Sequence, residues 1–324
     1  MQVEASIALN ELDPQIAAFI AQMGKGWAQH KALDTVSFPE ARHIAEQVRA
    51  PWIQGGPQMA LTTELAIPFG EDTIPVRIHR PIKDAGALPA LVYLHGGGWT
   101  IFSINTHDRL MREYASRAGI CVIGVDYSLS PEVRFPRALE ETIEVVRWLR
   151  RHGGEQGIDP DRLATGGDSA GANLAIATAI HLRDAEQPQA VKAMLLNYGA
   201  FDTDCHNASY ERFGGPAFML GGQEMEDFWK NYLGEDFGKR LPLACPLHAE
   251  LSGLPPAFLC IPNCDVLLDE NLEMEKRLRA AGVDTTARIY EGASHSFLEA
   301  VSIAEVADRA LSEASEWLDE SLRR

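Results

Sequence analysis

The sequence predicts an α/β protein: a mostly parallel, eight-stranded, doubly wound sheet flanked by helices and covered by a helical cap. Three observations carry that expectation. From Pro89 onward, short apolar runs alternate with helix-like segments. Those runs are apolar throughout, the pattern of strands buried on both faces. The alternation breaks once, between Asp204 and Phe237, in a stretch rich in glycines and aromatics.

Residues 1–55 carry two amphipathic helical patterns, Asp13 to Met23 and Pro39 to Val48, which precede the first strand and are read as part of the cap. Residues 56–203 are the first part of the sheet domain. Thr63 to Pro68 and Ile74 to Ile78, separated by Gly70-Glu71-Asp72, read as an antiparallel pair at the sheet edge. Then come strand Ala90 to Leu94 with a helix from His107 to Ala118, and strand Cys121 to Val125 with a helix from Pro136 to Arg151. The short strand Arg162 to Thr165 leads to an alanine-rich helix ending at Leu182, and Lys192 to Asn197 follows. Residues 204–237 are read as a cap insertion, with a helical run from Gln223 to Leu233. Residues 238–324 complete the sheet domain with Ala257 to Ile261, a helix from Glu270 to Ala281, strand Thr286 to Tyr290 and a helix from Ala304 to Leu322.

Composition narrows the function classes. At 324 residues and 46% hydrophobic, the chain can bury a large core. A net charge of −17 argues against nucleic acid or an anionic membrane as partner, because phosphate surfaces recruit Lys and Arg. No run reaches the roughly 18 apolar residues of a membrane span, and Met1 to Asn10 lacks the basic start and apolar core of a secretory signal. Cys121, Cys205, Cys245, Cys260 and Cys264 form an odd set without Cys-x-x-Cys spacing, which fits reduced thiols rather than a zinc site or disulfide framework. A cytoplasmic protein without metal is the expectation.

Two motifs carry chemistry. Gly167-Asp168-Ser169-Ala170-Gly171 places a serine between strand and helix with the spacing of a nucleophile elbow, where glycines relieve a tight turn and the helix N-terminus directs N–H groups at the hydroxyl. His95-Gly96-Gly97-Gly98-Trp99 follows the Ala90 to Leu94 strand, and glycine amides at a strand end suit a tetrahedral oxyanion. No Gly-Lys-Ser/Thr or Gly-x-Gly-x-x-Gly opens a helix there, so a phosphate loop is a poor rival.

Together with Val125-Asp126-Tyr127-Ser128-Leu129-Ser130-Pro131-Glu132, Phe135-Pro136 and Asn105-Thr106-His107-Asp108-Arg109, these motifs resemble the hormone-sensitive-lipase-type esterases of the α/β-hydrolase fold, and bacterial acetyl esterases in particular. The resemblance covers about Leu91 to Phe297. It implies a Ser, Asp, His order, with the acid in Asp265-Val266-Leu267-Leu268-Asp269-Glu270 and the base in His295-Ser296-Phe297. Both positions also fall beyond strand C-termini, where doubly wound sheets gather ligands. The expected site is Ser169, Asp265 and His295, with Gly97, Gly98 and Ala170 as oxyanion donors and no cofactor. Of the rivals for the acid, Asp269 is read as a helix N-cap and Asp202 as a residue of the neighbouring loop. His107 and His248 are read as structural or rim residues, and His95 as a brace for the glycine loop.

Departures from the family pattern, such as Ser128, Val266 and Ser296 where Arg, Pro and Gly are frequent, remove no catalytic group. Trp99, Phe102, Phe213, Phe218 and Trp229, with Phe228 and Tyr232, are the expected walls of a small pocket for a short-acyl ester. Two other readings stay open: a ligand-binding protein like the plant gibberellin receptors, which share the fold but lack the histidine, and an amidase or peptidase using the same residues. Family members are often dimers; a homodimer here is an expectation the residues themselves do not carry.

Overall fold

A computed structural model describes residues 11–83, 86–185, 190–215 and 217–323. Met1 to Asn10, on which the expected lack of a secretory signal rests, lies outside them. Among the described residues the sheet has eight strands in the order β1-β2-β4-β3-β5-β6-β7-β8. The strands are β1 (Leu61–Phe69), β2 (Asp72–Arg80), β3 (Leu88–Leu94), β4 (Cys121–Val125), β5 (Ile158–Asp168), β6 (Ala193–Asn197), β7 (Ala257–Cys264) and β8 (Thr285–Ser294). β1 pairs antiparallel with β2 and β2 antiparallel with β4; β3 to β8 are parallel. β4 and β6 are buried along their whole length, as continuous apolar runs require.

Helices α3 (Asp108–Ala118), α4 (Arg137–His152), α5 (Ala170–Asp184), α8 (Leu268–Ala280) and α9 (Glu305–Arg323) cover the two faces. α5 is buried nearly all round. Its alanines permit the close approach, and a Cβ on Gly166 of β5 would already collide with Leu195 of β6. Two further segments lie at the C-terminal end of the parallel strands. One holds α1 (Pro14–Trp27) and α2 (Phe38–Arg49), each with proline in its first turn and a side-chain N-cap, Asp13 and Ser37. The other, between β6 and β7, holds α6 (Ala208–Phe213) and α7 (Gly222–Leu233). Phe19 of α1 packs edge-on against Trp52 within the first segment, and the Asp13 N–H donates to the Gly292 carbonyl of β8 at 3.0 Å, which ties the segment to the sheet.

Element order matches the sequence expectation, with α6 an addition inside the insertion, but three of the parallel strands run on past the C-terminal ends expected of them. β5 extends to Asp168, β7 to Cys264 and β8 to Ser294. In the last two, a register shift between Pro262 and Cys264 and the positive φ of Gly292 carry polar residues into the ladder that apolar pattern alone does not mark. The consequence is functional: Ser169, Asp265 and His295 each follow directly on a strand end.

Candidate active site

Ser169 stands between β5 and α5 with φ 54° and ψ −118°, a backbone conformation that non-glycine residues rarely adopt. Its surroundings force that turn. A Cβ on Gly167 or on Gly171 would strike the Leu94 carbonyl at the end of β3, so the elbow closes only with glycine on both sides. The Ser169 N–H donates to the Asn197 carbonyl of β6 at 2.9 Å, and the Asn173 amide bridges the carbonyls of Ala200 and Ala244. The hydroxyl is thereby held at the N-terminus of α5.

His295 lies between Ser169 and Asp265. Its Nε2 is 3.0 Å from the Ser169 Oγ and its Nδ1 is 2.8 Å from the Asp265 Oδ2. All three residues are buried. The other Asp265 oxygen accepts the Leu267 N–H at 3.0 Å, which fixes the carboxylate, and the ring of Tyr198 meets the imidazole edge-on with centroids 5.0 Å apart. A carboxylate on Nδ1 sets the tautomer that leaves Nε2 free to take a proton from the hydroxyl.

The glycine loop faces this hydroxyl. Gly97 and Gly98 have φ of 108° and 57°. The Gly97 carbonyl accepts from the N–H groups of Thr100 and Ile101, curling the loop so that a Cβ on Gly97 would strike the Ile101 carbonyl and one on Gly98 the Phe228 ring. Among the described residues the N–H groups of Gly97, Gly98 and Ala170 have no intramolecular acceptor. Such donors, held in place before any charge develops, are what stabilises an oxyanion.

Asp168, the residue before the serine, ties the loop to the elbow. One carboxylate oxygen accepts from the Tyr93 hydroxyl at 2.7 Å and the Gly96 N–H at 3.2 Å; the other meets His107 Nε2 at 3.3 Å. Burial alone would raise the pKa of Asp168, but the His107 charge, its hydrogen bond and that of Tyr93 hold it below the ordinary 3.8. Burial would likewise lower the pKa of His107, and Asp168 instead raises it above 6.5. The two form a buried ion pair. His95 behaves oppositely: burial, then the His107 charge, push it down to about 3, so it is neutral, hydrogen-bonded to the Gly96 carbonyl and stacked on Tyr127. His95 therefore sits as a brace for the loop.

Sequence reasoning assigned no role to Asp168. The available signal was an acid at the end of an apolar strand, which demands a buried partner. Of the rivals for the acid, Asp202 is engaged with His248 and Arg240. Asp269 is not the N-cap expected of it: α8 begins at Leu268, two residues earlier than expected, Leu267 occupies the cap position, and the Asp269 carboxylate accepts the Ser209 N–H of α6 instead. The Cys264 thiol, beside Asp265, is pushed up to about 12 by burial and is a small buried hydrophobe at neutral pH.

A cavity of about 310 Å³ opens over Ser169, lined by Gly97, Gly98, Asp168 and His295 below and by residues of both peripheral segments above. Of the expected wall residues, Phe102 lines it, as does Phe228 of α7. Trp99, Phe213 and Trp229 do not: each is at most 1% exposed. Trp99 stacks on Tyr232, with ring centroids 4.2 Å apart, and packs against Trp229, while Phe213 packs edge-on against Phe218. Phe218 lines a separate apolar hollow between α1 and residues 217–219. Met225, Phe228, Trp229 and Tyr232 share one inward stripe of α7; Trp229 and Tyr232 on it pack into the core against Trp99, while Met225 and Phe228 border the cavity. The N-terminal segment supplies Trp27, Lys31, Ala32, Leu33 and Arg49, none of which pattern reasoning selected.

Comparison with known proteins gives the family. The alpha/beta hydrolase fold family matches residues 91–299, and the chain belongs to it. An ethyl acetate hydrolase from Pseudomonas putida is 32% identical over 96% of this chain and 99% of its own. An acetyl esterase from Salmonella typhi is 34% identical over 82% of each chain. Among solved structures, a hyperthermophilic esterase from the archaeon Pyrobaculum calidifontis superposes with a TM-score of 0.88 at 31% identity, covering 95% of this chain and 98% of that one.

Proposed function

We propose that the chain is a serine carboxylesterase that hydrolyses short-acyl carboxylic esters through an acyl-enzyme, with Ser169 as nucleophile, His295 as general base and acid, and Asp265 as the group that orients the imidazole. The observation that carries this reading is the single imidazole spanning the Ser169 hydroxyl and the Asp265 carboxylate at 3.0 and 2.8 Å. The relatives' names place the chemistry among esters. His295 takes the hydroxyl proton as the Ser169 Oγ attacks the ester carbonyl, and the imidazolium is stabilised by Asp265. The oxyanion is received by the N–H groups of Gly97, Gly98 and Ala170, each such donor being worth about 10² to 10³ in rate. The proton then passes from His295 to the leaving alcohol, and water activated by the same imidazole releases the acid. No metal or cofactor takes part.

The cap is assigned to residues 1–55 and 204–237, a reading supported by the described parts of both, from which Trp27, Leu33, Arg49, Met225 and Phe228 border the cavity over the nucleophile. A cavity this small favours short acyl groups, and the chain acts as a cytoplasmic enzyme on small esters. The test is a p-nitrophenyl ester series run beside labelling by an organophosphonate. Fastest turnover on acetate to butyrate, with labelling abolished by Ser169→Ala, is expected. A rate that peaks at decanoate or longer would refute the short-acyl assignment, and labelling that survives Ser169→Ala would refute the nucleophile.

A further inference from the structure

Arg49 is an unusual residue to find on the wall of an ester pocket. It lies in the last turn of α2, is only 3% exposed, and lines the cavity beside Phe102, with its guanidinium carbon 4.4 Å from that ring's centre. Its Nη1 donates to Glu299, a residue buried to a similar degree just beyond His295 in the chain. Its Nε has no partner, and among the described residues Nη2 has no acceptor either. A guanidinium offers five N–H donors in a rigid fork, and buried donors are normally satisfied. Here one edge of the fork is used and the adjoining edge is not.

The charges around it sharpen the case. The Arg49 and Glu299 charges both act on His107, in opposite directions, which places this pair beside the His107–Asp168 pair. Two ion pairs side by side nearly cancel in net charge, so the wall offers directed donors rather than a strong field. The other charged residues on the cavity are otherwise engaged: Lys31 stands exposed with Glu40, and Glu224 holds the Gly221 N–H.

We propose that Arg49 is a specificity residue, whose unused guanidinium edge receives a second oxygen acceptor on the ester, a carbonyl or carboxylate carried on the part remote from the scissile bond. The proposal rests on the esterase reading and names a substrate class within it: esters of alcohols that bear a further acyl or carboxyl oxygen. A site built to hydrogen-bond such a group discriminates strongly against an analogue that lacks it, because the donors are then left unpaired.

Three acetates of matched shape test this. In ethylene glycol diacetate the remote group is a neutral ester, in γ-acetoxybutyrate a carboxylate, and in isohexyl acetate the branched hydrocarbon of the same outline. The readout is the ratio of kcat/KM for each oxygenated ester to that for isohexyl acetate, taken within one protein, so that differences in folded fraction cancel. Wild type is expected to prefer at least one oxygenated ester by about tenfold or more. Arg49→Lys keeps a positive charge opposite Glu299 but removes the fork, and is expected to lose most of that preference. Arg49→Met combined with Glu299→Gln removes both charges together and is expected to lose it as well, should the lysine variant fold poorly. A preference for the diacetate assigns the site to neutral carbonyl oxygens, and one for the butyrate to carboxylates. A wild-type ratio near unity for both, or a preference that persists in both variants, would overturn the proposal while leaving the esterase reading intact. Hydrolysis of none of the three would overturn that reading and this one with it.

Discussion

Replacing His107 by glutamine separates the ion pair behind the nucleophile from the nucleophile itself. His107 and Asp168 are both 2% exposed and 3.3 Å apart. Removing one member of a buried pair costs about 3–5 kcal/mol, because the remaining charge is stranded. Asp168 would keep the Tyr93 hydroxyl and the Gly96 N–H as donors, and glutamine can donate one more hydrogen bond, so about 3 kcal/mol is expected. The pH dependence distinguishes a charge effect from simple misfit. The pKa of His107 is raised above 6.5 in the folded protein, so its contribution is complete below 6.5 and fades as pH climbs through the raised value. That of Asp168 is held below 3.8, so its contribution is present above 3.8 and fades as pH falls through the lowered value. The gap in urea unfolding free energy between wild type and His107→Gln should therefore be widest between those limits and shrink in alkali. Equal gaps at about pH 5.5 and about pH 9 would refute the charged-pair assignment.

Other expectations follow from the same geometry. Gly98→Ala forces a methyl onto the Phe228 ring at a φ of 57° and should lower kcat by about 10² or more with a modest change in KM, as steady-state kinetics on acetate esters would show. Asp265→Asn leaves the shape intact but presents a donor to Nδ1, and should lower kcat by about 10⁴; retention of a tenth of the wild-type rate would contradict the role given to that carboxylate. Trp229→Ala should destabilise the fold by about 3–5 kcal/mol, a core residue's cost, in a thermal or urea melt. Dialysis against a chelator should leave ester hydrolysis unchanged, measured before and after.

The architecture was legible because its signals are local. Each parallel strand is a short run of apolar residues, and a run such as Leu91 to Leu94 or Met194 to Leu196 can be buried on both faces only with helices above and below it. The elbow was legible for the same reason, since the glycines that the Leu94 carbonyl demands stand within two residues of Ser169. Strand ends were misjudged where polar residues such as Asp168 and Ser294 continue the ladder under the direction of a neighbouring strand, a partnership that no single segment records. The pocket failed for a deeper reason. Aromatics in α7 and after β3 were read as one group, yet the ring stack of Trp99 on Tyr232 is buried while Phe102 and Phe228 face the cavity, a division set by how the insertion docks.

The same argument explains why the site's second layer was invisible. Asp168, His107, Arg49 and Glu299 lie on four different elements, with Arg49 and Glu299 separated by 250 positions, and each alone is an unremarkable polar residue. Only in the folded chain do they become two adjoining ion pairs behind the nucleophile and the cavity wall. Burying four charges beside a reacting serine is costly unless each is paired, so removal of any one should disturb the other pair as well. A double-mutant cycle on Arg49→Met and His107→Gln should return a coupling energy of at least about 0.5 kcal/mol. Strict additivity in urea unfolding would mean that the two pairs act independently, and the wall would then have no shared electrostatics for a substrate to meet.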